Sequence, residues 1–267
     1  MKKTILLTGA TDGIGLATAK MLLEQGNHLL LHGRNPQKLE DVVNTLSSQV
    51  EGANIESYVA DLSNLSEVKK FADAVAEKHD SLDVLINNAG VFKINDPMTQ
   101  DGLDVRFVVN TLAPYLLTKQ LLPLLGNNGR VVNLSSAAQA PVSINALYGK
   151  ARLDDMGAYA QSKLAITMWS SVLAEKLKDG PMIVAVNPGS LLASKMVKEG
   201  FGVEGSDINI GADILTRAAL SDEFANASGK YFDNDSKQFS PPHQDALNQQ
   251  KSEAVVAAIE SILEDIS

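Results

Sequence analysis

Short apolar stretches alternate along this chain with longer stretches in which apolar residues recur every three or four positions. The short stretches have the length of strands, and the longer ones have the period of amphipathic helices. The predicted strands are residues 5–8, 28–32, 55–60, 84–87, 130–134 and 183–187, with a seventh beginning at Tyr231. The predicted helices are residues 13–25, 36–48, 64–78, 102–125, 157–178, 207–220 and 251–263.

This alternation predicts an α/β fold, because strands separated by helices form βαβ units in a parallel sheet. The central strand-like runs are apolar on both faces, as in a sheet that helices cover on both sides. A chain of 267 residues can fold around one core, and no repeat or long linker divides it. We therefore predict one domain over residues 1–267, a doubly wound parallel sheet of about seven strands.

The composition and net charge of the chain mainly exclude certain kinds of binding site. The chain has no cysteine, and its four histidines lack the spacing of metal ligands, so we expect no metal. A net charge of −9 argues against a broad nucleic-acid or anionic-membrane surface. No apolar run reaches the roughly 20 residues that span a bilayer, and Gly9 interrupts the N-terminal run. We expect a cytoplasmic protein with no nucleic-acid or membrane partner.

The first predicted strand leads directly into a glycine-rich turn and then into a helix. Glycines permit a tight turn and close backbone approach, and the helix start offers free N–H groups and a positive dipole end to a pyrophosphate. This context favours a dinucleotide-binding turn of the Rossmann type, with three residues between the first two glycines. The predicted contacts are Gly9, Thr11, Asp12, Gly13, Ile14 and Gly15.

The end of the second predicted strand bears on which dinucleotide is bound. An NAD site usually carries an acidic residue here, which accepts hydrogen bonds from the ribose 2′-hydroxyl. This chain instead has Gly33, Arg34 and Asn35, with Lys38 one helical turn further on. A guanidinium matches a 2′-phosphate in charge and geometry. The sequence thus predicts NADP(H) in preference to NAD, the alternative being a solvated arginine at a helix start.

Five motifs in order along the chain resemble the short-chain dehydrogenase/reductase family. They are Thr8-Gly9-x-x-x-Gly13-x-Gly15, Asn87-Asn88-Ala89-Gly90, Ser135-Ser136, Tyr159-x-x-x-Lys163 and Pro188-Gly189. The long insert between Ser136 and Tyr159, together with residues 158–165 and 229–232, resembles the retinol-dehydrogenase-like, NADP-preferring branch.

The resemblance implies further cofactor contacts. Asp61 and Leu62 correspond to the adenine contact, although an aspartate there is more often a turn or helix-capping residue. Asn88, Ala89 and Gly90 would pass close to the cofactor or stabilise the central sheet. Pro188 and Gly189 would form the turn beneath the nicotinamide. The threonine that the family commonly has four residues after that glycine is Ala193 here.

The predicted catalytic pair is Tyr159 and Lys163. Four residues apart on a helix, they share one face, so the ammonium is expected to lower the pKa of the phenol. Such pairs are common on helix surfaces, and it is the resemblance that implies their role as general acid/base and ribose contact. It likewise implies that Ser136 orients the substrate oxygen and that Asn110 supports a proton relay and borders the cofactor. Ser135 would serve the backbone or the cofactor.

The implied reaction is hydride transfer between NADP(H) and a carbonyl or alcohol, and the alternative is a non-catalytic NADP(H)-binding sensor or scaffold. Two long connections, about 137–157 and 190–206, either cover the substrate or decorate the surface. Apolar residues in these regions predict a hydrophobic substrate or pack the core: Phe92, Met98, Leu147, Tyr148, Leu191, Leu192, Met196 and Phe201. The resemblance leaves open a homodimer or homotetramer.

Overall fold

The computed structural model describes residues 2–193, 196–198 and 202–266. Its sheet has the strand order β3-β2-β1-β4-β5-β6-β7-β8. The strands pair in parallel, except that β8 runs antiparallel to β7. They are β1 (Thr4–Leu7), β2 (His28–Gly33), β3 (Asn54–Val59), β4 (Val84–Asn87), β5 (Arg130–Leu134), β6 (Met182–Asn187), β7 (Tyr231–Asp233) and β8 (Gln238–Phe239).

Helices cover both faces of the sheet. They are α1 (Gly13–Glu24), α2 (Pro36–Gln49), α3 (Leu65–Lys78), α4 (Val105–Phe107), a π-helical turn (Val108–Leu112), α5 (Ala113–Leu125), α6 (Ile144–Leu147), α7 (Asp155–Lys176), α8 (Asn209–Leu220) and α9 (Gln249–Asp265). Side chains alternate along β1, so Ile5 and Leu7 pack with α1, α2 and α8, whereas Leu6 packs with α3, α5 and α7. Two hydrophobic cores result, one on each face.

The outer helix α9 packs on α7 rather than on the sheet. Val255, Ile259 and Ile262 are buried in the same core as α7. At its far side, Glu260 accepts a hydrogen bond of 2.6 Å from the hydroxyl of Tyr115 on α5. Within the described ranges, no helix is long and apolar enough to cross a membrane.

The predicted doubly wound α/β sheet is confirmed, with a strand count of eight rather than about seven. The extra strand, β8, is exposed and only two residues long, which is too short for an apolar period to be detected in the sequence. The predicted helix 102–125 begins later, at Val105, because Gly102 has a φ of 76° and the side chain of Asp104 caps the helix at Arg106 N. Helix α7 begins earlier than predicted because Asp154 accepts from Gly157 N.

Candidate active site

A cleft of about 1380 Å³ runs along the edge of the sheet where the parallel strands end. It lies where the strand order reverses between β1 and β4, the usual ligand position in this type of sheet. Most of the predicted site residues line it: Gly9, Thr11, Asp12, Gly13, Ile14, Gly15, Arg34, Asn35, Asp61, Leu62, Asn88, Ala89, Gly90, Tyr159, Lys163 and Pro188. Three predicted residues are not among the lining residues, but each adjoins one that is. Asn110 is bonded to Val91, Ser136 is bonded to Tyr159, and Gly189 follows Pro188.

The glycine turn is packed so closely that side chains are excluded. A Cβ on Gly15 would lie 2.1 Å from the carbonyl oxygen of Gly9, and one on Gly9 would lie 2.8 Å from the Cα of Ala89. The side-chain amide of Asn88 donates to the carbonyl oxygens of Thr8 and Gly9, at 2.9 and 3.0 Å. The start of α1 is thereby held against the ends of both β1 and β4.

His32 supports this turn and was not predicted as a site residue. Its Nδ1 accepts a hydrogen bond from Gly9 N at 3.2 Å, so its Nε2 carries the proton and donates to the carbonyl of Ala60 at 3.0 Å. Burial lowers the pKa of His32 to about 4, so the ring is neutral near pH 7. One histidine thus joins the ends of β1, β2 and β3, and its position beside Gly33 is the only sequence signal.

The residues after β2 place a cation at the cleft. Arg34 and Lys38 are exposed and line it, and within the described part of the chain Arg34 forms no ion pair. Asn35 caps α2 by accepting from Lys38 N at 2.9 Å. Gly33 has a role that the sequence did not indicate, because a Cβ there would lie 2.6 Å from the Cγ2 of Thr11.

Asp61, at the opposite side of the cleft, also forms a local turn. Its Oδ1 accepts from the backbone N and the hydroxyl of Ser63, at 2.9 and 2.7 Å. Its own backbone N donates to Glu67 at 2.8 Å. The turn role and a cofactor role are compatible, because Asp61 and Leu62 both line the cleft.

Tyr159 and Lys163 meet at the cleft wall as predicted. The ammonium of Lys163 lies 5.7 Å from the centre of the Tyr159 ring and donates to the carbonyl of Leu134 at 2.8 Å. Lys163 is 4% exposed, and burial lowers its pKa to about 8. Burial raises the pKa of half-buried Tyr159, and a hydrogen bond with the Ser136 side chain opposes that rise. The expected lowering of the tyrosine pKa by Lys163 is therefore not found, because burial dominates.

Asn110 lies in the π-helical turn and joins the loop after β4 to α7. Its side chain accepts from Val91 N at 2.8 Å and donates to Val91 O and to the hydroxyl of Ser162, both at 3.0 Å. That hydroxyl donates to the carbonyl of Tyr159 at 2.7 Å. Such π-helical turns occur often at functional sites, and here the turn directs a polar side chain toward α7.

The two serines after β5 have different surroundings. The hydroxyl of Ser135 bonds to that of Thr167 at 2.6 Å and to the carbonyl of Lys163 at 3.2 Å, which fastens β5 to α7. Ser136 is half-buried beside Tyr159, and its carbonyl accepts from the Tyr231 hydroxyl at 3.1 Å and from Gln139 at 3.0 Å. The backbone of Ser136 is therefore held from two sides.

A buried ion pair, which was not predicted from the sequence, fastens the start of α7. Arg106 is 1% exposed and binds Asp104 through two nitrogens, at 2.7 and 2.8 Å. Its remaining terminal nitrogen binds Asp155, which lines the cleft one helical turn before Tyr159. The segment that carries Asn110 and the helix that carries Tyr159 are thereby joined.

The predicted substrate wall needs correction. Of the eight apolar candidates, only Phe92, Met98 and Met196 line the cleft. Leu147 and Leu192 are buried and Tyr148 packs on the core, because apolar loop residues gain more by covering the core. Leu191 is exposed and does not line the cleft. Phe201 lies outside the described residues.

The long connections 137–157 and 190–206 contribute little to the described wall. They provide Asp155 and Met196, whereas the loop after β4, residues 91–101, provides ten of the lining residues. That loop carries Lys93, Asp96 and Asp101 as well as apolar residues. Phe92 packs edge-on against Tyr159, with ring centres 5.1 Å apart.

Comparisons with known proteins agree with this geometry. Residues 3–202 match the family model described as short chain dehydrogenase. Human retinol dehydrogenase 13 is 32% identical over 253 residues, which cover 86% of this chain and 76% of that protein. The chain therefore belongs to the short-chain dehydrogenase/reductase family. Within the family it falls in the retinol-dehydrogenase-like branch, as its motifs predicted.

Solved structures show the same fold. A crystal structure of an uncharacterized protein from Mycobacterium paratuberculosis superposes with a TM-score of 0.81 at 28% identity, covering 98% of this chain and 93% of that one. A short chain dehydrogenase from Burkholderia cenocepacia, in complex with NADP, has a TM-score of 0.69 at 26% identity, covering 87% of this chain and 95% of that one.

Proposed function

We propose that this protein is an NADP(H)-dependent oxidoreductase that interconverts a carbonyl and an alcohol. The observation that carries the proposal is the half-buried Tyr159 beside Ser136 and Lys163, on a cleft that begins at a glycine turn. These three groups supply what such a reaction needs from a protein, namely a proton donor, a hydrogen bond to the reacting oxygen and a cation.

The residues fit a phosphorylated dinucleotide. The cradle between Gly9 and Gly15 would be filled by any Cβ, and an exposed arginine without an ion pair in the described chain lies at the end of β2. We assign the pyrophosphate to the glycine turn and the 2′-phosphate to Arg34. The remaining cofactor contacts are assigned to Asn35, Asp61, Leu62, Asn88, Ala89, Gly90, Asn110, Tyr159, Lys163, Pro188 and Gly189.

When bound, the cofactor supplies or accepts the hydride. In reduction, Tyr159 donates its proton to the substrate oxygen, and its raised pKa keeps the phenol protonated for this task. Ser136 donates a hydrogen bond that orients the same oxygen. Lys163 would hold the nicotinamide ribose, and with the support of Asn110 it returns a proton to Tyr159. Oxidation of an alcohol reverses these steps.

The substrate is proposed to be a hydrophobic carbonyl compound or alcohol. Phe92 packs on Tyr159, Met98 and Met196 add apolar surface to the same cleft, and the charged residues of loop 91–101 offer a polar rim. Incubating the protein with NADPH and a panel of aldehydes and ketones, or with NADP⁺ and alcohols, tests the reaction class by the change in nicotinamide absorbance. Absence of turnover across both panels would count against it.

Three further expectations stay proposals, namely one catalytic domain, a cytoplasmic location and a homodimer or homotetramer. The packing of α9 bears on the last. Because α9 covers the outer face of α7 in the same chain, that covered face is not available to a second copy.

Arg34→Ala is expected to raise the Kd of NADPH by about ten- to a hundredfold, because a charge-assisted contact of about 1.5–3 kcal/mol is lost. The Kd of NADH should stay unchanged, since it has no 2′-phosphate. Quenching of protein fluorescence by each cofactor measures both constants. Arg152→Ala, an exposed arginine outside the described wall of the cleft, is the matched control. Equal loss of NADH affinity would contradict a phosphate contact.

The pH dependence of reduction should follow Lys163. Its pKa of about 8 means that the ammonium is present below that pH and is lost as the pH rises through it. The kcat/KM for NADPH, which reports the free enzyme, should therefore fall above about pH 8. In Lys163→Arg, the residual activity should lose this fall, because a guanidinium stays charged. Lys150→Arg, on the ring of Tyr148, should keep the native profile.

A native profile that stays level up to about pH 10, where an ordinary lysine titrates, would contradict this assignment.

A further inference from the structure

The tip of the β7–β8 hairpin, residues 233–235, is bonded to the turn that follows β6, residues 188–190. This turn borders the cleft through Pro188. After it, Leu191 has a φ of 51°, and Leu192 forms an isolated bridge with Ser206. Residues 188–190 themselves, all within the described chain, belong to neither a helix nor a strand.

Asp235 holds the end of the turn. Its Oδ1 accepts from the backbone N of Ser190 at 2.8 Å, and its Oδ2 accepts from the Ser190 hydroxyl at 2.5 Å. The same Oδ2 accepts from the side-chain amide of Asn187 at 2.9 Å, which also donates to Asp233 at 2.8 Å. One carboxylate therefore bonds to both ends of the 187–190 segment.

Asn234 holds the start of the turn. Its side-chain amide is buried and donates to the carbonyl of Pro188 at 2.9 Å. Proline has no N–H, so this carbonyl is the only backbone hydrogen-bonding group that Pro188 has. Gly189 has a φ of 119°, and its N donates to the side-chain oxygen of Asn187 at 3.3 Å.

We propose that Asn234 and Asp235 are positioning residues that set the turn Pro188–Ser190 against the nicotinamide end of the cleft. The proposal rests on the proposed function. Hydride transfer requires the reacting atoms at near-contact distance, so a turn that moves by about 1 Å can lower the rate about a hundredfold. The methyl side chain of Ala193 cannot form a hydrogen bond, whereas Asn234 and Asp235 bond to the turn through their side chains.

The test compares Asn234→Ala and Asp235→Ala with Ser236→Ala. The Ser236 hydroxyl bonds to Asp233 and Ser240 on the same hairpin, so its removal is the matched control. Each hairpin-tip variant is expected to lower kcat about tenfold while the Kd of NADPH changes less than about twofold. The affinity is spared because the glycine turn and Arg34 do not contact the hairpin tip in the described structure. Ser236→Ala should behave as the native protein.

A kinetic cycle separates positioning from loss of folding. Ser190→Ala removes one hydroxyl and keeps the backbone bond, so kcat should fall about threefold. Combining it with Asp235→Ala should lower kcat no further than Asp235→Ala alone, because both act through one contact. Thermal unfolding checks that each variant is folded. If Asp235→Ala does not fold, Ser190→Ala still tests the contact between Ser190 and Asp235.

Emission from bound NADPH gives a readout that needs no substrate, because it reports the surroundings of the nicotinamide ring. It should differ from native in both hairpin-tip variants and match native in Ser236→Ala. Native kcat and native emission in the folded variants would overturn the inference alone. A native protein that binds NADPH but reduces nothing would overturn the proposed reaction. The emission of bound NADPH would then still test whether Asn234 and Asp235 position the turn. Failure to bind NADPH would overturn both.

Discussion

Tyr159→Phe is expected to lower kcat for carbonyl reduction by about a thousandfold, within the range that a general acid contributes. Phenylalanine keeps the ring that packs edge-on against Phe92 and removes only the hydroxyl that donates the proton. The fold and the cleft should therefore be unchanged. The Kd of NADPH should rise by no more than about tenfold, because a lost neutral hydrogen bond costs about 0.5–1.5 kcal/mol.

Single-turnover reduction, followed by nicotinamide absorbance, measures the loss at the chemical step. Tyr148→Phe is the matched control, since it removes the same atom from a tyrosine that lies outside the described wall of the cleft. It should keep the native kcat. Full activity in Tyr159→Phe would contradict the proposed proton donor. Native protein that binds NADPH and turns over no substrate would instead favour the sensor or scaffold function.

The fold was predictable because its determinants are local. The period of the apolar residues distinguishes strands from helices. An apolar run of strand length implies burial on both faces, and Leu6 is indeed buried on one face of the sheet and Ile5 and Leu7 on the other. The site was predictable for a related reason. The glycine turn, Ser136 and Pro188 each follow a strand, and parallel strands end at one edge of the sheet. Tyr159 lies within α7 instead, and its role was predicted from the family resemblance.

The supporting contacts were not predictable, because they depend on which distant residues become neighbours. His32 joins Gly9 to Ala60, and Asp235 bonds to Asn187 at a sequence separation of 48. No local pattern encodes such pairs. The π-helical turn around Asn110 was missed for a different reason, since one extra residue in a helical turn scarcely changes the apolar period of the segment.

The sequence left open whether the apolar loop residues line a substrate pocket or pack the core, because apolar character does not show direction. Leu147 lies in the insert that was expected to cover the substrate, yet its side chain is buried in the core. The loop after β4 mixes charged and apolar residues, so its sequence does not mark it as a substrate wall, yet it provides ten of the residues that line the cleft. Catalytic residues are therefore easier to predict than the substrate in this protein, because the reaction fixes the former and loop packing determines the latter.

Gly15→Ala is expected to disrupt cofactor binding more than any other change at the glycine turn. The new Cβ would lie 2.1 Å from the carbonyl oxygen of Gly9 and 2.5 Å from the amide nitrogen of Asn88. Neither the backbone oxygen nor the bonded amide can yield without moving the end of β1. Overpacking of this kind costs up to about 3 kcal/mol, which corresponds to a Kd for NADPH raised about a hundredfold if the strain falls on the bound conformation.

Gly52→Ala is the matched control. Gly52 lies between α2 and β3 and has a φ of 70°, and a Cβ there would meet nothing within 4 Å, so this variant adds backbone strain without a steric clash. That variant should lose about 1 kcal/mol of unfolding free energy through backbone strain and keep the native Kd. Titration with NADPH and chemical unfolding separate the two effects. A native Kd in folded Gly15→Ala would mean that the turn can shift without cost, and the pyrophosphate would then have to be held by side chains rather than by the backbone of the turn.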